Sequence, residues 1–117
     1  MEYKHEAIFC IVNDGYSEAV MEAAKKLGAR GGTVINARGT AGKEAEKFFG
    51  ITVQPEKEIV MILVPTEYKE NILRALYEEV GLNTAGQGIA FALPVDGVVG
   101  ITNAETPATK AETSKEK

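Results

Sequence analysis

The chain has 117 residues, 44% of them hydrophobic, and a formal net charge of -4 from 13 basic and 17 acidic side chains. That length suits one domain with one core, and the basic and aromatic residues do not cluster as a surface tracking a phosphate backbone requires, so nucleic acid is not an expected partner. No apolar run approaches the roughly 20 residues of a membrane span, the N-terminal MEYKHEAIF lacks a signal-peptide pattern, and the single cysteine permits no internal disulfide; a cytoplasmic protein is expected.

Residues 7–12 (AIFCIV) form a short apolar run rich in strand formers, bounded by Asn13-Asp14-Gly15, and predict a central first strand. Cys10 lies within it and reads as a small packed hydrophobe. Asp14 or Ser17 is placed to cap a helix on which Tyr16, Val20, Ala23, Ala24 and Leu27 recur at helical spacing, and Gly28 is placed to end it. Thr33, Val34 and Ile35 open a second strand over residues 33–37. A polar, charged segment over residues 39–57 is too long for a hairpin, and loops of that size in small domains usually carry function.

A third strand is predicted over residues 59–64 (IVMILV), closed by Pro65. Thr66 then reads as the cap of a second helix, lined on one face by Ile72, Leu73, Leu76 and Val80 and stopped by Gly81. The glycine-bearing loop LNTAGQG leads into a fourth strand over residues 89–93. Asp96-Gly97 is a turn signal that predicts a short fifth strand over residues 98–101. Residues 103–117 are polar and aperiodic, as in a disordered tail, which leaves one domain over residues 1–102.

The order β-α-β, long loop, β-α-β predicts an α+β fold: a ferredoxin-like βαββαβ antiparallel sheet with both helices on one face. The first and third strands are apolar on both faces, whereas two helices cover only one. The uncovered apolar face should therefore meet another subunit, and a homo-oligomer is expected.

Catalytic and transition-metal sites are poorly provided for, since His5 is the only histidine and Cys10 the only cysteine. The protein is not expected to be an enzyme. The glycine-rich stretch GARGGTVINARGTAG ends in Gly42-Lys43, but Ala37 stands where a phosphate-loop motif needs its first glycine and Glu44 where it needs a hydroxyl. Its glycines flank a strand, so a dinucleotide fingerprint is excluded as well.

Three motifs in order, EAIF with a helix and LGARGGTV, then EIVMILVP, then TAGQGIAFALPV, resemble the PII signal-transduction (nitrogen regulatory protein P-II) family over residues 5–101. The resemblance implies a homotrimer with inward-facing sheets, an adenine nucleotide in each intersubunit cleft, and a long T-loop, here about residues 39–57, that docks on a transporter or an enzyme. By position, Ile8, Gly31, Gly32, Thr33 and Leu63 would surround base and ribose. Arg38 and Gly39 would stand at the T-loop root, and Gly86, Gln87 and Gly88 would present B-loop amides, which can hold an anion without a charged side chain. Two readings of Gly31 and Gly32 stay open, a ligand approach or a simple turn into the strand.

The family's Gly-Asp-Gly-Lys reads Gly86-Gln87-Gly88-Ile89 here, and its C-terminal arginines are replaced by Asp96-Gly97-Val98-Val99-Gly100. A triphosphate needs several cations, so AMP, ADP or another weakly charged effector is expected over ATP. In the T-loop equivalent, Phe48, Phe49 and Ile51 read either as a partner anchor or as side chains packed back on their own assembly. The alternative is a ferredoxin-like trimer of the divalent-cation-tolerance type, acting in metal handling or as a structural assembly.

Overall fold

A computed structural model describes residues 2–40, 47–48, 51–52, 56–84 and 87–101. The expected tail over residues 103–117 lies outside them, as do Gly86 and Phe49. The elements are β1 (His5–Asn13), α1 (Ser17–Lys26), β2 (Thr33–Arg38), β3 (Lys47–Phe48), β4 (Ile51–Thr52), β5 (Glu56–Pro65), α2 (Lys69–Glu79) and β6 (Gly88–Val95). Among the described residues, no helix is long and apolar enough to cross a membrane.

Four strands make one sheet in the order β2-β5-β1-β6, with every neighbouring pair antiparallel. Strands β1 and β2 therefore run parallel with β5 between them, and β5 and β6 run parallel with β1 between them. Each helix joins such a parallel pair, which is the split arrangement of the ferredoxin-like fold. The short β3 and β4 pair with each other inside the long loop.

Alternation sorts the residues of β1. Glu6, Ile8, Cys10 and Val12 are buried and the residues between them only partly so, as period two requires of a strand with one covered face. Ile8, Cys10 and Val12 share one cluster with Val60, Ile62 and Val64 of β5, Val20, Ala23 and Ala24 of α1, and Ile72, Ala75 and Leu76 of α2. Each fully buried Val, Leu or Ile contributes about 1.5–3 kcal/mol, so the helical side of the sheet is the core.

Both expected helix caps are absent. At α1 neither Asp14 nor Ser17 caps the helix with its side chain; Glu58 of β5 does so from across the sheet, its Oε1 accepting from the amides of Gly15 at 3.2 Å and Ser17 at 3.1 Å. The sheet holds this carboxylate at the positive end of α1, where a charge-assisted bond to the free amides is favourable. Thr66 does not cap α2 either, because its hydroxyl donates to the Tyr3 carbonyl at 2.7 Å and its amide to that of Lys4 at 2.9 Å. These bonds begin a 3-10 turn over Thr66–Tyr68 that leads into α2. At the other end of α1, Gly28 takes φ +111°, and a Cβ there would sit 2.6 Å from the Tyr68 ring.

The predicted fifth strand does not form: residues 97–101 adopt no strand. Val99 is 97% exposed. At that exposure it gains no burial against the described residues to offset the entropy of ordering a further strand.

Candidate functional site

The sheet face opposite the helices is built from the other half of each alternating pattern. Register places Ile35, Ile59, Ile11 and Ile89 side by side in one row, Thr33, Met61, Phe9 and Phe91 in the next, and Leu63, Ala7 and Leu93 beyond. Ile35, Leu63, Ile89, Phe91 and Leu93 are exposed. A contiguous apolar face of this kind exceeds the scattered apolar residues that soluble monomers expose.

The expected ligand residues fall into groups. Gly31, Gly32, Thr33, Arg38 and Gly39 lie on or beside β2, one edge strand; Gln87 and Gly88 lie at the start of β6, the other edge. Two strands separate them, so the edges stand about 14 Å apart at roughly 4.8 Å per strand. One subunit thus cannot close both groups around one small ligand. Leu63 lies on the open face, whereas Ile8 is fully buried beneath the helices and its side chain has no surface to offer a ligand.

The glycines differ in what holds them. Gly88 has φ +143°, and a Cβ on it would sit 2.3 Å from the Ile11 carbonyl oxygen and 3.2 Å from Val12 Cα. Its own sheet therefore demands glycine there. A Cβ on Gly32 would meet Met21 Sδ and the Met61 carbonyl at 2.9 Å each, while Gly31 faces open space. Close packing thus explains Gly32 without a ligand, and Gly31 leaves room for one. Beside Gly88, the Gln87 side-chain oxygen is buried with no hydrogen-bond partner among the described residues, which leaves an acceptor to be satisfied at this edge.

Lys57 is a cation that the motif reading passed over. It pairs with Ala37 on one side and Asn13 on the other, in step with Ile59, Met61 and Leu63 on the open face, and its Nζ donates to Asn13 Oδ1 at 2.7 Å. The usable signal was the period of two. The strand was expected to begin at residue 59, which left Lys57 in the loop. Arg38 pairs instead with Glu56, two residues from Glu58, and so stands on the helical side of the sheet. Phe48 and Ile51 are register partners in the β3-β4 ladder.

A family model described as Nitrogen regulatory protein P-II matches residues 5–105. The chain belongs to the P-II family. Among solved structures, the PII protein of Arabidopsis thaliana, bound to citrate, is 27% identical, with TM-score 0.63 over 86% of this chain and 85% of its own. CPII from Thiomonas intermedia K12, bound to ADP, AMP and acetate, shares the fold at TM-score 0.58 and 17% identity, over 80% of this chain and 87% of its own. Comparison with curated protein sequences gave no match. Membership of the P-II family takes the place of the divalent-cation-tolerance alternative. Within the P-II frame, Gly31, Gly32, Thr33, Arg38 and Gly39 stand at one edge of the sheet and Gln87 and Gly88 at the other, joined by an apolar face that neither described helix covers.

Proposed function

We propose that this P-II protein is a non-catalytic regulator that assembles as a homotrimer and senses a small metabolite, an adenine nucleotide such as AMP or ADP, in clefts between subunits. The observation that carries the reading is the separation of the two residue groups. A cleft holding Gly31 and Thr33 together with Gln87 and Gly88 takes the β2 edge from one copy and the β6 edge from the next, and the apolar face supplies the reason for the copies to meet.

The chemistry of the cleft favours a weakly charged ligand. Lys57 stands on the open face, and Asn13 is a neutral partner that an anionic group would displace. Gln87 brings an acceptor with no partner among the described residues, suited to a ribose hydroxyl or an amino group. The neighbouring structures solved with citrate, or with ADP and AMP, support the same class of small anionic effectors. Occupancy is then relayed through the loop over residues 39–57, with Phe48, Phe49 and Ile51 as contacts, to a partner such as a membrane transporter or an enzyme.

Calorimetry on the purified protein against AMP, ADP, ATP, a cyclic nucleotide, citrate and bicarbonate tests the reading. AMP or ADP is expected to bind more tightly than ATP, with one site per subunit, and Lys57→Ala to weaken that binding about tenfold or more. Silence across the panel at millimolar ligand would remove the effector part of the proposal.

A further inference from the structure

The long loop returns to the sheet through the first three residues of β5, and each of them holds the turn between β1 and α1 from a different direction. The Glu56 carbonyl accepts from the Asp14 amide at 3.1 Å. The Lys57 ammonium donates to Asn13 on the open face at 2.7 Å. On the helical face, the Glu58 carboxylate accepts from the Gly15 and Ser17 amides at 3.2 and 3.1 Å. The same three residues pair with Arg38, Ala37 and Asn36 of β2, the outgoing stem of the loop. Both stems and the first turn of α1 therefore converge on three consecutive residues.

The bond made by Glu58 decides what this convergence does. An α-helix leaves its first amides without internal partners, and α1 has no side-chain cap of its own. The acceptor it uses comes from 41 residues away in the sequence, on the strand that carries the loop. A stem that frays or slips by one residue, roughly 3.3 Å along the strand, takes the carboxylate out of reach of both amides. Both amides then exchange a charged, fixed acceptor for solvent, so the first turn of α1 loosens with the stem.

We infer that Glu58 is a positioning residue coupling the stem of the long loop to helix α1, so that a change in the loop's anchorage reaches the outer helical layer. This goes beyond the proposed relay from cleft to loop, because it gives the loop a second direction of transmission into its own subunit, and it does not depend on which ligand binds.

Residue-resolved amide hydrogen exchange on the full chain tests the coupling in both directions. In Glu58→Ala, the Gly15 and Ser17 amides are expected to exchange at least tenfold faster, and the protected amides among residues 36–38 and 56–58 to accelerate with them. The amides of Ile8 and Ile62 accelerate less than these, by no more than the loss of global stability read from urea unfolding of the same variant accounts for. Glu58→Gln, whose carbonyl oxygen still accepts, restores part of the protection. In reverse, Asn36→Pro loosens the outgoing stem without touching the turn and is expected to accelerate Gly15 and Ser17 at least threefold. Unchanged stem amides in Glu58→Ala, unchanged Gly15 and Ser17 amides in Asn36→Pro, or acceleration spread evenly over the molecule would each overturn the inference.

Discussion

Phe9 and Phe91 stack across the β1-β6 ladder, with ring centroids 5.5 Å apart and planes inclined by 13°, on the sheet face away from the helices. Such a pair adds about 0.5–1.5 kcal/mol to its burial, yet in a lone subunit Phe91 remains exposed. Placing a charge there leaves the helical core intact and makes association costly. Phe91→Asp is expected to weaken self-association by roughly 100-fold or more, since burying an uncompensated carboxylate costs several kcal/mol. Light scattering reads the mass and circular dichroism the retained fold. Parental mass at micromolar concentration would contradict the role given to this face.

Gly88 is held by its own sheet, so its substitution damages stability ahead of any effect on a ligand. Gly88→Ala combines a positive φ with a Cβ driven into the Ile11 carbonyl, and is expected to cost about 2–4 kcal/mol. Gly31→Ala, which meets nothing within 4 Å, is expected to stay within about 1 kcal/mol of the parent. Urea unfolding of the two variants side by side checks the contrast, and equal losses would refute it.

Glu6 is a charged residue of the buried layer of β1, and its carboxylate lies 3.5 Å from Lys69 Nζ at the start of α2. Lys69→Met strands the carboxylate and is expected to cost about 1–3 kcal/mol. The double variant Glu6→Met, Lys69→Met removes the desolvated charge as well, and its stability should return to the parent's or exceed it. A double variant as weak as the single one would mean that the pair itself contributes most of the stability.

Partial desolvation pushes the Glu58 carboxyl upward, but hydrogen bonds involving Ser17, Gly15 and Asp14 outweigh it and hold the group below the ordinary value of 4.5. A carboxyl depressed in the folded state stabilises the fold above its unfolded value, and that contribution is lost as pH falls through the folded value. The parent should therefore lose stability below about pH 4.5 and Glu58→Gln should lose less. Urea midpoints between about pH 6 and 3 give the comparison; parallel profiles would show that the bonds to α1 carry no linkage.

Cys10 is fully buried in the core, and burial pushes its thiol up to about 11. At pH 8 a small disulfide reagent should label it only on unfolding, so the labelling rate follows the opening of the sheet. Prompt labelling of the native protein would place Cys10 in an open path to solvent.

Alternation and helical spacing made the fold readable. The apolar runs in β1 and β5, the helical faces of Val20 and Leu76, and the mismatch between two apolar sheet faces and two helices are all local patterns. What escaped was set at long range. The cap of α1 comes from Glu58, and the Thr66 hydroxyl is taken by Tyr3, a partner 63 residues away. No window of neighbouring residues contains either bond. Lys57 and Glu58 were hidden for a smaller reason: a strand beginning with Glu-Lys-Glu reads as loop until its partners on β1 and β2 are known. Ile8 shows the opposite limit, because matching a family position did not tell which sheet face its side chain takes.

In the proposed assembly the two halves of the cleft come from opposite edges of the sheet, which would make binding a property of the ring and not of the chain. In a cyclic assembly each subunit lends one edge to each neighbour. A chain damaged at the β2 edge and another damaged at the β6 edge would each form only broken clefts. Mixed in one ring, they would restore an intact cleft wherever the sound β2 edge of one meets the sound β6 edge of the other. Two inactive proteins would thereby recover binding on co-assembly, and a single defective subunit would spoil two clefts at most when both of its edges were damaged.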